Sequence, residues 1–185
     1  MKLRILLSII LIAIVFILIA GCSSIQNKGS IQKFSETSDL LLNEQDLMQL
    51  GMRGDCKTEE YNTSEKMAIS QYSFCNYTID DLNTEIIIEL SKYTNFEDLN
   101  DSYQYNSLHL RSSEGLISEN KYGDQSRFYV NHESDYGGQF DESDIYYYHL
   151  WITRDLYLIH ITSKGSQEAK ERVKEIGLKI LEKFK

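Results

Sequence analysis

A chain of 185 residues, 42% of them hydrophobic and none of them proline, is long enough for one domain with its own core. Its formal net charge of −9 opposes the phosphate backbone of nucleic acid and the anionic surface of a bilayer. Nucleic acid is therefore excluded as an expected partner, and electrostatic adhesion to lipid with it.

At the N-terminus, Lys2 and Arg4 precede an almost unbroken apolar run from Ile5 to Ala20, the charged start and hydrophobic centre of a secretion signal. The run ends in Ile19-Ala20-Gly21-Cys22, which resembles the lipobox of bacterial and archaeal lipoproteins. There a peptidase cuts before the cysteine, and a diacylglyceryl thioether with palmitate-type chains anchors it. The alternative is an uncleaved membrane helix, for which Leu3 to Ala20 is just long enough. Small residues beside the cysteine and the polar stretch from Ser23 to Ser30 favour processing and a flexible tether. The expected organisation is a signal peptide over 1–21, a tether over 22–31 and one extracytoplasmic domain over 32–185. Cys22 would carry the lipid at a cell membrane or outer envelope. At ~0.8 kcal/mol per buried methylene, two or three acyl chains hold such a domain without a membrane-spanning helix. Cleavage removes Lys2 and Arg4, leaving 17 basic against 28 acidic side chains, a net of −11.

Along the domain, Asn43 with Asp46 forms a helix-capping signal, and Gly51 can end that helix after Leu47 and Leu50 turn inward. Cys56 and Cys75 are an even pair in an exported chain, so a disulfide is expected. Two buried thiols or a metal pair are the alternatives, although the spacing fits no zinc knuckle. Lys57 to Lys66 is polar and reads as loop. Met67 to Ile79 and Glu85 to Tyr93 alternate as strands around a turn at Asp80 to Thr84, with Ile86, Ile88 and Leu90 on one face. Asn95 and Asp98 cap a helix that runs to about Leu110, with Phe96, Leu99, Tyr103 and Ser107 at helical spacing. A strand over Arg127 to Asn131 leads into a polar loop from His132 to Asp144. Two further strands, Ile145 to Thr153 and Leu156 to Thr162, flank a turn at Arg154-Asp155. Ala169, Val173, Ile176, Ile180 and Phe184 then mark an amphipathic C-terminal helix behind a Ser166 cap. The expected class is α+β, an antiparallel sheet with helices packed on it.

Three passages carry a family resemblance: Leu42 to Leu47 with the following Gly51, Tyr122-Gly123-Asp124 before a strand, and Arg154-Asp155 running into Leu156 to Ile161. In these and in its order of elements the chain resembles the small secreted lipoprotein domains of the Mog1/PsbP-like group, including the LpqN-type lipoproteins. The resemblance implies the architecture and a ligand-binding, accessory or sensor role; fold alone does not fix function. The acidic loop from His132 to Asp144 departs from the compact pattern of that group.

With Arg154 and Asp155 as the turn, Trp151 falls opposite Leu158 and His149 opposite His160. Facing imidazoles suit a zinc or copper ion that finds a third ligand, or a switch near pH 6.5. No third ligand is evident, so no metal is assigned, and the plain alternative is a pair of cross-strand neighbours on a half-exposed face. Asp135, Asp141, Glu142 and Asp144 do not match an EF-hand loop and read as a solvated connection. Serine-nucleophile motifs, a P-loop and a dinucleotide fingerprint are all missing, so no catalytic residue and no cofactor is expected.

The function expected is a non-enzymatic, lipid-anchored binding or accessory module. Tyr147, His149, Trp151, Leu158 and His160 form its candidate surface, for an envelope protein, a glycan or a small amphiphile. This requires an open apolar groove there, and a helix laid over the face removes it. The rivals are a metal-dependent envelope hydrolase using His149, His160 and an acidic residue, and a structural or assembly lipoprotein.

Overall fold

A computed structural model of the protein describes residues 36–60, 68–108, 115–132 and 145–185, all within the unit Lys33–Lys185. The strands are β1 (Met52–Glu60), β2 (Ile69–Ile79), β3 (Thr84–Tyr93), β4 (Leu116–Glu119), β5 (Gln125–His132), β6 (Tyr146–Arg154) and β7 (Tyr157–Gly165). They form one sheet in the order β1-β2-β3-β7-β6-β5-β4, every neighbour antiparallel. Two meanders, β1 to β3 and β4 to β7, thus meet edge to edge where β3 pairs with β7. The helices are α1 (Glu44–Leu50), α2 (Phe96–Leu108) and α3 (Ala169–Glu182), and the class is α+β as expected.

Period-two alternation divides the side chains between two layers. On one face Ile86, Ile88, Leu90, Leu150, Ile152, Ile159 and Ile161 are buried beneath α3, which contributes Ala169, Val173, Ile176 and Ile180. Gly177 lets that helix come close: a Cβ there would lie 2.9 Å from Leu150 Cδ2 and 3.2 Å from Ile152 Cδ1. The same core takes in Leu50 from α1. That helix starts where Asn43 and Asp46 cap each other's backbone N–H and stops at Gly51, whose φ of 64° suits glycine. On the other face α2 lays Leu99 and Tyr103 over Tyr93, Trp151 and Leu158.

Several expectations need correction. Residues 57–60, read as loop, complete β1; this outermost strand is charged and largely exposed, so it lacks the apolar alternation that marks a strand. β4 is only four residues long and gave no periodic signal. The β6–β7 turn is Asp155-Leu156, because Arg154 pairs with Tyr157; Asp155 takes the positive φ of 51° that a two-residue hairpin demands. Ser166 does not cap α3: the N-cap position is Glu168, and the Ser166 carbonyl accepts from the Ala169 N–H in the turn before the helix. Phe184 lies past the last turn, edge-on to Tyr157. The signal, the tether with Cys22, residues 61–67 and the carboxylates of 133–144 lie outside the described residues. Among the described residues no helix is long and apolar enough to cross a membrane.

Cys56 and Cys75 are direct partners in the β1–β2 ladder and form a disulfide. At a sequence separation of 19, reduction or the Cys56→Ala/Cys75→Ala pair should cost about 3 kcal/mol in denaturant unfolding. A midpoint unmoved by reductant would mean that the ladder alone holds β1.

Candidate functional site

β3 sends Ile86, Ile88 and Leu90 into the main core and so must send Glu85, Ile87, Glu89, Ser91 and Tyr93 to the α2 side. On that side too stand all five residues of the candidate surface, Tyr147, His149 and Trp151 from β6 and Leu158 and His160 from β7. The ladder sets Glu89 opposite His160, His160 opposite Trp151, and Trp151 opposite Arg127 of β5. The expected pairing of the two histidines needs correction, since the shifted turn puts His149 opposite Thr162 and Leu158 opposite Thr153. The imidazoles are diagonal neighbours instead. They still meet, with His149 Nδ1 3.4 Å from His160 Nε2 and their rings stacked at 5.6 Å.

Among the described residues this face does not form the open apolar groove expected of it. Helix α2 covers Trp151 and Leu158, leaving them 9% and 4% exposed. Arg127 fastens the helix down: its guanidinium donates to Gln104 Oε1 at 2.9 Å and Ser107 Oγ at 2.7 Å, pairs with Glu119, and lies 5.1 Å from the centre of the Tyr103 ring. Burial there pushes the Tyr103 hydroxyl up to about 12. What remains is a pocket of about 240 Å³ beside the helix, lined by Tyr72, Glu89, Tyr93, Asn106, Trp151 and His160 among others. Leu158 also lines it, whereas Tyr147 and His149 do not; Tyr147 has the Lys164 ammonium 6.0 Å from its ring centre. A larger cleft of about 650 Å³ opens at the β2–β3 turn, but the polar chain described next does not reach it.

The pocket is backed by a continuous polar chain. The Tyr72 hydroxyl donates to Glu89 Oε1 at 2.5 Å, and Glu89 Oε2 lies 2.7 Å from His160 Nδ1. An ionised carboxylate only accepts, so Nδ1 of His160 carries the proton and Nε2 of the neutral ring is the acceptor. It faces the Thr162 hydroxyl at 3.0 Å and His149 Nδ1 at 3.4 Å. Trp151 stacks flat on His160, with ring centres 3.4 Å apart. The Trp151 indole N–H is buried and has no hydrogen-bond partner among the described residues.

The electrostatics separate the charged group from the neutral ones. Hydrogen bonds from His160 and Tyr72 hold Glu89 below the usual carboxylate range against the opposing cost of its burial. Burial pushes both imidazoles down, His149 to about 4 with a further push from His160, while Glu89 pulls the other way on each. Near neutral pH the chain is one anion and two uncharged rings. Among the described residues no three metal-ligating side chains converge. Glu89 bonds the nitrogen of His160 that points away from His149, so among the described residues it is not a third ligand beside the two facing ring nitrogens.

Three residues that build this site, Tyr72, Glu89 and Arg127, were not among the candidates read from sequence. Glu89 carried the one available signal, as a charge between Ile88 and Leu90 at the end of the apolar run Ile86-Ile87-Ile88.

Because protonation of the buried imidazoles costs more in the folded than in the unfolded state, their contribution to stability is whole above pH 6.5. It is lost as pH falls toward the folded value of about 4 for His149. Stability by chemical denaturation should therefore decline from pH 6.5 to 4. In His149→Gln that slope should be shallower by about 1.4 kcal/mol per pH unit, one proton's worth. Parallel wild-type and variant curves would show that His149 is charged in the fold.

No family model and no curated protein matches the chain. Among solved structures it is similar to the extracellular domain of PknH from Mycobacterium tuberculosis, with a TM-score of 0.55 over 83% of this chain and 98% of that one. At 11% sequence identity the likeness is one of fold, and that fold serves there as an extracellular domain.

Proposed function

We propose that the protein is a lipid-anchored extracytoplasmic module of the Mog1/PsbP-like, LpqN-type group, that it is not an enzyme, and that it binds a small ligand in the pocket beside α2. Supporting its address are the secretion signal, the lipobox-like Ile19-Ala20-Gly21-Cys22, the disulfide and the fold shared with an extracellular domain. The observation that carries the binding reading is the half-buried Glu89 at one side of an aromatic-lined pocket, held there by Tyr72 and His160. Polar groups placed in a mostly apolar recess are how ligand sites fix orientation.

The full chain expressed in a bacterium with labelled palmitate should take up label and sediment with membranes, and Cys22→Ser should do neither. An unlabelled wild type would overturn the anchor. For the pocket, a fragment screen by NMR should return ligands that shift His160 and Tyr93 signals. Asn106→Trp, which fills the pocket from the part-exposed face of α2, should weaken them about ten-fold or more. Ligands indifferent to that variant would place binding elsewhere.

A further inference from the structure

Among the described residues Glu89 is an anion without a lysine or arginine partner. Its side chain is about one-third exposed, and its partners are the hydroxyl of Tyr72 and the ring of His160. Burial keeps His160, whose side chain is 12% exposed, from supplying the charge. A carboxylate drawn into a protein ordinarily finds a counter-charge, because the low dielectric makes a lone ion costly. Here the remaining walls include the aromatic residues Tyr72, Tyr93 and Trp151. A carboxylate beside aromatic rings favours one kind of guest: Glu89 attracts a cation and repels an anion, and a neutral molecule leaves the charge uncompensated. The net charge of −9 adds a long-range field of the same sign.

From this juxtaposition we infer that the pocket beside α2 takes a small organic ammonium ion, its positive nitrogen against Glu89 and its methyl or methylene groups against the aromatic walls. The inference rests on the pocket being the binding site and names the chemical class of its ligand. The ammonium can belong to a free amine or to a phospholipid headgroup, and the two sources share the chemistry.

The test is calorimetric titration of the full chain in micelles of an uncharged sugar detergent. The probes are choline, its neutral isostere 3,3-dimethylbutan-1-ol, and glycerophosphocholine. Choline should bind at least about ten-fold more tightly than the isostere, a comparison that needs no variant. Glu89→Gln, which keeps the shape of the side chain, should remove most of that preference. Choline binding alone identifies a free amine as the source, and comparable binding of glycerophosphocholine identifies a headgroup. Isostere and choline binding equally well, or a Glu89→Gln variant with an unchanged preference, would overturn the cation. If binding of the neutral alcohol is then lost in Asn106→Trp, the pocket survives and only the ligand class fails. If choline does not bind the wild type at all, the cation fails, and the fragment screen decides the pocket separately.

Discussion

The sheet, both helix layers and the pocket depend on the seam between β3 and β7. Each meander on its own would present an unpaired edge, β3 in one and β7 in the other, and only their pairing makes one sheet broad enough to carry α3 on one side and α2 on the other. The seam runs from Glu85–Lys164 to Lys92–Tyr157 with eight residue pairs in register and no bulge. A slip of one position would turn one strand of the seam over, setting Glu89 opposite Ile159 or Ile161 in place of His160 and taking that strand's isoleucines out of the main core. The burial of the isoleucines thus fixes the register, and the register places the carboxylate beside the imidazole. The site is a by-product of core packing on the opposite face.

The two faces do different work because their helices differ. α3 offers a long apolar stripe, with Gly177 admitting the sheet to near contact, and the layer beneath it is buried and apolar. α2 buries only Leu99, Tyr103 and Ser107, and much of its hold on the sheet passes through the charged and amide groups of Arg127, Gln104 and Glu119. A helix fixed at one end by polar contacts leaves room beside it, and there β2, β3 and β7 can expose Tyr72, Glu89 and His160 to a recess. The carboxylate is tolerated because two donors satisfy it; the imidazoles are tolerated because they remain uncharged.

The parts of the fold legible in the sequence were those governed by local chemistry. Asn43 and Gly51 bracket α1 by capping, the β2–β3 hairpin follows from alternation on both sides of Asp80, and α3 follows from its apolar spacing. The cysteine pair was legible from parity and compartment. What escaped was set by distance or by edge position. An outer strand such as β1 buries little, so Lys57 to Glu60 carried no pattern to read. The β6–β7 register turned on whether Arg154 or Asp155 opens the turn, a choice of one residue that moved His149 from opposite His160 to a diagonal. Glu89 and His160 are 71 residues apart, and nothing nearer than the seam relates them. The helix over Trp151 was foreseen as a helix, but which face it covers depends on where β3 hands over to it.

One contact gives the protein a further property. The chain has a single tryptophan, and its indole lies flat against the innermost histidine of the polar chain, 3.4 Å between ring centres. An excited indole responds to a charge set against its face, so the tryptophan emission, excited at wavelengths where the 13 tyrosines do not absorb, reads one spot. It reports whether that imidazole is bare or protonated and whether the recess beside it is filled. The molecule therefore carries its own optical gauge at the position where its chemistry is concentrated, with no label and no second chromophore of the same kind to confuse the signal.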